Sequence, residues 1–391
     1  MEDVSKVRHY LKKSIMIGSF AFGIMSFLLP IYTKRIGGSA LAIGGLFSIF
    51  SVVTLILRPI IGRGVDIYGR RKFFISAFLL YAISMILFSY STNIALLYIS
   101  RLIQAMGNSF MWIPAYSIAI DIADSGKRGR TLGQIDGASA SGALYGSIIG
   151  FNILGYFTFM RGWSILFKGY AVLSLIAGFI AYKYIPETMP LGKRQNAQTN
   201  NRLDINFLKL LSVSFISSIS TSMLSPLLMT YLQDRFTKNI VTLATAFFPA
   251  SLVYAFLPSR MGGISDKMSR IKPMAVGLII SGIMSLSFTY FSRIEILILL
   301  WVLESIGLVM ASPAEEALLA DIVGENIRGS AYGLYLFTCS LGASIGPILG
   351  GWLYDSFGHA VPFYLNGIIL LFDAFLVLVL FRNYKIKPVS C

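Results

Sequence analysis

Gly62-Arg63-Gly64-Val65-Asp66-Ile67-Tyr68-Gly69-Arg70-Arg71-Lys72 returns 200 residues later as Gly262-Gly263-Ile264-Ser265-Asp266-Lys267-Met268-Ser269-Arg270. At that offset Gly62 falls on Gly262, Asp66 on Asp266, Arg70 on Arg270 and Lys72 on Lys272. Farther along, Gly107 meets Gly307, Asp121 meets Asp321, Arg128 meets Arg328 and Gly133 meets Gly333. Gly142, Gly146 and Gly150 meet Gly342, Gly346 and Gly350. Chance identities among Leu, Ile and Ser are common in so biased a chain, but charged residues are scarce. The charged matches cluster at the same places in each half without a gap. The chain is therefore an internal duplication.

The solvent for that duplication follows from composition. Of 391 residues 55% are hydrophobic, 14% aromatic and only 13% charged, where soluble chains carry about 25% charged residues. Apolar runs near 14–33, 40–61, 73–91, 94–120, 132–154, 163–185, 207–232, 240–258, 273–291, 294–320, 331–353 and 361–381 are each long enough to cross about 30 Å of hydrocarbon as a helix. They are continuous and do not alternate, which excludes barrel strands. The expected fold class is an all-α integral membrane protein with twelve transmembrane helices in two pseudo-symmetric six-helix bundles.

The net charge of +15 is a topology signal and not a nucleic-acid footprint. With the N-terminus in the cytoplasm, 25 of the 33 basic residues fall on cytoplasmic segments, 7 on outside segments, and Arg101 within a span. That bias is the positive-inside rule, and it puts both termini in the cytoplasm of a multi-pass cell-membrane protein. The first apolar run reads as an uncleaved first helix. Six spans per half with the same orientation imply parallel repeats about an axis normal to the membrane. The expected division is a first bundle at 1–186, a polar cytoplasmic linker at 187–204 and a second bundle at 205–391, with no soluble domain appended.

A carboxylate such as Asp66, at a bilayer surface among glycines and arginines, is suited to basic partners and to helix starts, where amide donors wait. In these loops the chain resembles the major facilitator superfamily, whose signature is Gly-x-x-x-Asp-x-x-Gly-Arg-Arg/Lys, over roughly residues 10–385. The resemblance implies that Gly62, Asp66, Gly69, Arg70 and Arg71 lock the cytoplasmic side. Asp266, Arg270 and Arg128 would be their counterparts and neighbours in that gate. It also implies that the first, fourth, seventh and tenth spans surround a central cavity.

Arg101 lies eight residues past Asn93, about 12 Å into the fourth span. A buried cation there is expensive unless a cavity or an acid receives it. Arg101, Gln104, Asn108 and Trp112 follow at helical spacing, and Arg101-Leu102-Ile103-Gln104-Ala105 resembles the family's Arg-x-x-Gln-Gly with Ala105 for the last Gly. The tenth span sets Trp301, Glu304, Ser312 and Glu315 on roughly one face, making the first and third of these candidate cavity residues. Glu304 and Glu315 are the candidates for proton coupling, with a fixed Glu304–Arg101 bridge as the rival assignment. Asp373 is embedded but ranks below them, the twelfth span being peripheral in the family. Gly342, Gly346, Pro347, Gly350 and Gly351 form a helix-bend motif in the eleventh span. In the drug:proton antiporters that motif belongs to the fifth span, where this chain lacks the Pro and the final Gly. The first span also lacks the acid many such exporters carry. Serines crowd the seventh span and are read mainly as packing, a few facing the cavity.

Two cysteines and two histidines, none placed for a disulfide, zinc or catalysis, give no metal site and no enzyme. No phosphate loop supports an ATP-driven pump. The leading function is secondary active transport by alternating access, as proton-coupled efflux of small amphipathic or organic molecules. The alternatives are a proton-coupled uptake symporter for a sugar or organic anion, with Arg101 as anion clamp, and a membrane-embedded sensor or enzyme. The expected partners are a small-molecule substrate and the lipid bilayer, with no nucleic acid and no cofactor beyond the proton gradient, and the chain working as a monomer. A cysteine placed at Asn200 is expected to react with a membrane-impermeant maleimide from the cytoplasmic side alone. Labelling from outside would invert the topology.

Overall fold

The computed structural model describes residues 2–123, 128–188, 204–257, 261, 270–322 and 328–382, of which 2, 3, 128–130, 240, 241, 255, 320 and 328–332 are described by backbone alone. Among them are fourteen helices: α1 (Glu2–Gly18), α2 (Phe20–Arg35), α3 (Ala40–Tyr68), α4 (Arg70–Tyr90), α5 (Ile94–Asp121), α6 (Arg128–Tyr156) and α7 (Phe159–Tyr184). There follow α8 (Ile205–Leu224), α9 (Leu227–Arg235), α10 (Ile240–Phe256), α11 (Ile271–Ser287), α12 (Ile294–Ile322), α13 (Arg328–Phe357) and α14 (Val361–Leu380).

Two pairs of these helices each make one crossing. Val4–Arg35 and Ile205–Arg235 are single apolar spans, so fourteen helices make twelve crossings. The second break has a local cause: Pro226 has no amide donor and stands at the start of α9. Sequence reading had both spans unbroken. Eight crossings are long and apolar enough to be recognised on that ground, and two more, Thr242–Tyr254 and Ile271–Ser287, are apolar but short. The remaining two are α5 and α6. They carry Arg101, Gln104 and Asn108, and Gln134, Asp136 and Asn152 respectively, and this polarity lowers their hydropathy.

The chain divides into two compact units, Met1–Gly38 with Ile49–Asn196, and Ser39–Ser48 with Ala197–Cys391. Each is held by glycine contacts between helices. In the first, a Cβ on Gly142 would strike the Met16 carbonyl, and one on Gly146 the Phe20 carbonyl, so α6 lies backbone to backbone on α1 and α2. In the second, Gly342 faces the Phe215 carbonyl, Gly346 the Ile219 carbonyl and Gly350 Met223, which seats α13 on α8 by the same device. Lipid tails are as apolar as the side chains, so close approach and dispersion carry much of the association. Aromatic side chains close the first unit at the other side of α4: Trp163 Nε1 donates to the Phe88 carbonyl at 2.6 Å and its ring stacks on Tyr32 at 3.8 Å between centroids.

Residues 39–48 cluster with the second unit because of α13. The Pro347 carbonyl stands where a Cβ on Gly44 would be, and Gly351 faces the Ala40 carbonyl. The Asp355 carboxylate then caps the start of α3, accepting from the Ala40 amide at 3.1 Å and the Leu41 amide at 2.7 Å.

Gly146→Val is expected to lower the thermal stability of the purified protein by about 1–3 kcal/mol, the usual cost of forced overpacking. Gly133→Ala, at a glycine with open space around it, should leave stability unchanged. Equal melting of both variants would mean that the ladder is not a packing device.

Candidate functional site

The signature loop is the junction of α3 and α4. Gly69 sits there with φ +94, a left-handed conformation suited to glycine, and a Cβ would also strike the Glu187 carboxylate. Glu187 occupies that space because it caps α4. Its carboxylate accepts from the Arg70 amide at 2.9 Å and the Arg71 amide at 3.1 Å. Free amides and the positive end of the helix dipole make a helix start a natural place for such a group.

The side chains of the motif turn to α5 and α7. The Arg70 guanidinium forms an ion pair with Asp121 and donates to the Ser117 carbonyl at 3.0 Å. Thr188 Oγ1 donates to the same Asp121 at 2.8 Å. Arg71 Nη2 donates to the Tyr182 carbonyl at 2.6 Å and its guanidinium lies over the Tyr182 ring at 5.4 Å. Asp66 is exposed, and its charge bears on Arg70. Gly62 has nothing within contact distance of where a Cβ would be. In the second unit Arg270 Nε donates to Asp321 at 3.1 Å. The residues matched by the 200-residue offset, Arg70 with Arg270 and Asp121 with Asp321, thus make one ion pair in each half. Asp266 and the rest of the second loop, and linker residues 189–203, lie outside the described residues, as does the Arg128 side chain.

Sequence reasoning missed two of these partners. Asp121 carried a signal, since it shares the offset of Arg70. Glu187 carried none in the repeat and was read as the first residue of a polar linker.

Deep in the first unit, Arg101 is buried and donates to Gln104 Oε1 at 2.5 Å, one turn on. Its guanidinium lies over the Phe50 ring at 4.3 Å. A flat cation on an aromatic face needs less hydration than an ammonium would, which suits it to this depth. Asn108 accepts from Tyr81 Oη at 3.2 Å. Trp112 packs on Tyr116 with centroids 5.3 Å apart, and Tyr116 Oη donates to Asp136 at 2.7 Å. The stripe read from the sequence is therefore met by α3, α4 and α6 of its own unit.

The second unit holds a partly open cavity of about 330 Å³. Ser217, Ser218 and Thr221 of α8, Tyr254 of α10, Ser312 and Glu315 of α12, and Tyr335 and Cys339 of α13 give it polar groups, while Leu278, Leu308, Val309 and Pro313 give it apolar wall. Glu315 is nine-tenths buried and accepts from Ser214 Oγ. Ser312 and Glu315 are thus brought together, as the sequence face suggested. Glu304 is also buried but lies 11 residues earlier on α12, about 16 Å away along the axis. Tyr254 links the two regions, since it lines the cavity and lies within electrostatic reach of Glu304. Trp301 packs on Phe247 with centroids 5.8 Å apart. Of the helix-bend motif, Gly342, Gly346 and Gly350 face α8, and Gly351 faces Ala40.

The model of the Major Facilitator Superfamily matches residues 14–212 and again 210–390. The chain belongs to that superfamily and is a secondary transporter, not an enzyme. Among its relatives, Multidrug resistance protein 2 of Bacillus subtilis (strain 168) is 23% identical over 376 residues, covering 92% of each chain. The Synaptic vesicular amine transporter of Homo sapiens is 26% identical over 346 residues, covering 87% of this chain and 66% of that one. Among solved structures, a bacterial homolog to human lysosomal transporter Spinster, inward-facing and occupied, superposes with a TM-score of 0.76. It is 15% identical and covers 98% of this chain and 99% of that one, so it bears on the fold alone.

Arg70→Gln, Asp121→Asn and the double variant are expected to slow transport by similar factors at normal membrane insertion, because losing either end breaks the same pair. Multiplying losses in the double variant would show that the two side chains act independently.

Proposed function

We propose that this protein is a multidrug-type antiporter, exporting small amphipathic or organic molecules in exchange for protons. The observation that carries this is the mixed wall of the 330 Å³ cavity, where hydroxyls, tyrosines and one carboxylate interrupt an aliphatic surface. Such a wall binds by area and by a few adaptable hydrogen bonds, which tolerates many shapes. A bacterial relative named for multidrug resistance, matching along nearly its whole length, supports the same assignment.

In the proposed cycle the bundles 1–186 and 205–391 move against each other about the linker 187–204, with both termini in the cytoplasm and the chain acting as a monomer. Gly62, Asp66, Gly69, Arg70 and Arg71, with Asp266, Arg270 and Arg128, serve the cytoplasmic gate. Arg101, Gln104, Asn108, Trp112, Trp301 and Ser312 serve the transport path, and Glu304 and Glu315 serve proton coupling. Gly342, Gly346, Pro347, Gly350 and Gly351 let α13 bend.

Everted membrane vesicles carrying the protein test the direction and the coupling together. With a fluorescent lipophilic cation as probe, an inward-acid proton gradient should drive accumulation, and collapse of the gradient should stop it. Glu304→Gln should abolish the driven accumulation while leaving probe exchange measurable, since the matching Gln104 shows that an amide fits the repeat. Accumulation in right-side-out vesicles instead would make the protein an uptake carrier.

A further inference from the structure

Asp373, at the middle of α14, is completely buried, and neither of its carboxyl oxygens has a hydrogen-bond partner. Ser217 is its polar neighbour, and the charge that bears on it among the described residues is that of Glu315. An unpaired carboxylate in a helix bundle is expensive, so such a group is held for a counterion it takes up and releases.

Among the described residues, the cations on the helices packed against α14 stand elsewhere. α14 packs on α8, α11 and α13. On α8, Lys209 Nζ donates to the Leu380 carbonyl at 3.4 Å, at the end of α14. On α11, Lys272 is exposed in the first turn. α13 offers Tyr335 and Cys339, and α12 contributes Glu315 with Glu316 beside it, none of them a cation. Asp373 lies seven residues before Leu380, Glu315 seven before Ile322 and Ser214 nine after Ile205. All three therefore sit at one level, about 10–14 Å from the same end of the bundle.

The two acids differ in their surroundings. Glu315 takes hydrogen bonds from Ser214 and Tyr335 and forms part of the cavity wall. Asp373 has the Ser217 hydroxyl beside it and is not itself among the wall residues. We infer that Glu315 and Asp373 hold one proton between them, forming an ion-carrying site inside the second unit that is separate from Glu304. The donors around Glu315 let it bear the negative charge, while Asp373 keeps the proton in an O–H bond. When the cavity hydrates or fills, the proton leaves Asp373 by way of Glu315, the member that reaches the cavity, and both become carboxylates. The site rests on proton coupling for its purpose, yet its titration can be read without any transport.

Infrared difference spectra of the purified, lipid-reconstituted protein, recorded across a pH step without substrate, test it. The wild type should show a buried carboxylic-acid carbonyl band, distinct from any of Glu304, that vanishes as the pH rises. Asp373→Asn and Glu315→Gln should each remove or displace that same step, and Glu304→Gln should leave it in place. Both variants are near-isosteric, so if one fails to fold the other still decides. A band unchanged in either folded variant overturns the shared site. So does a band that sodium ions remove, saturably, at fixed pH, because the site would then take a metal cation. If the band behaves as expected while vesicles show no proton-driven accumulation, the site stands and the antiport proposal falls.

Discussion

Backbone contact through glycine is the constraint on which the rest of this structure depends. In water two helices are driven together by their apolar faces, but in lipid those faces are already among equals. What remains is how closely two backbones approach, and that is set by what stands at Cβ. Gly142 and Gly146 on α1 and α2, and Gly342, Gly346 and Gly350 on α8, bring carbonyls to where a methyl would be. Alongside these contacts, α4 packs on α5 and α7 in the first unit, and α11 on α12 and α14 in the second.

Polar groups are then placed where the chain leaves the apolar layer. α3 begins under the Asp355 carboxylate and α4 under that of Glu187, so two helix starts are neutralised by acids far off in sequence. Arg70 with Asp121 and Arg270 with Asp321 do the same for side chains, once per half. Of the duplicated charges, Arg70 with Arg270 and Asp121 with Asp321 stand in register because each is half of a pair.

That register is why so much was legible in the sequence. Run lengths gave the crossings, charge scarcity made the repeat convincing, and the offset of Arg70 and Asp121 already contained the ion pair, although Asp66 drew the attention. Glu187 was not legible, since a cap is made by three-dimensional proximity and leaves no periodic trace. The break at Pro226 was not read, since prolines at 30, 59, 114, 249, 313 and 347 sit inside helices without ending them. Asp373 was undervalued for another reason. A family rule that its span is peripheral says where a helix lies, not what its inner face touches.

The acids of the second unit show why depth alone is a poor guide to function. Glu304 and Glu315 share a helix and are both buried, so sequence distance and burial treat them alike. Their neighbours do not. Glu315 stands in a cavity wall with hydroxyl donors and a second acid behind it, whereas Glu304 lies about three turns away beside Tyr254. A group that must exchange its proton during a cycle needs a path to water and a neighbour that resists two charges at once. A group that must stay put needs only fixed partners. By that criterion Glu315 is the better placed of the two coupling acids of α12, and Tyr254, which lines the cavity and lies near Glu304, stands between their surroundings.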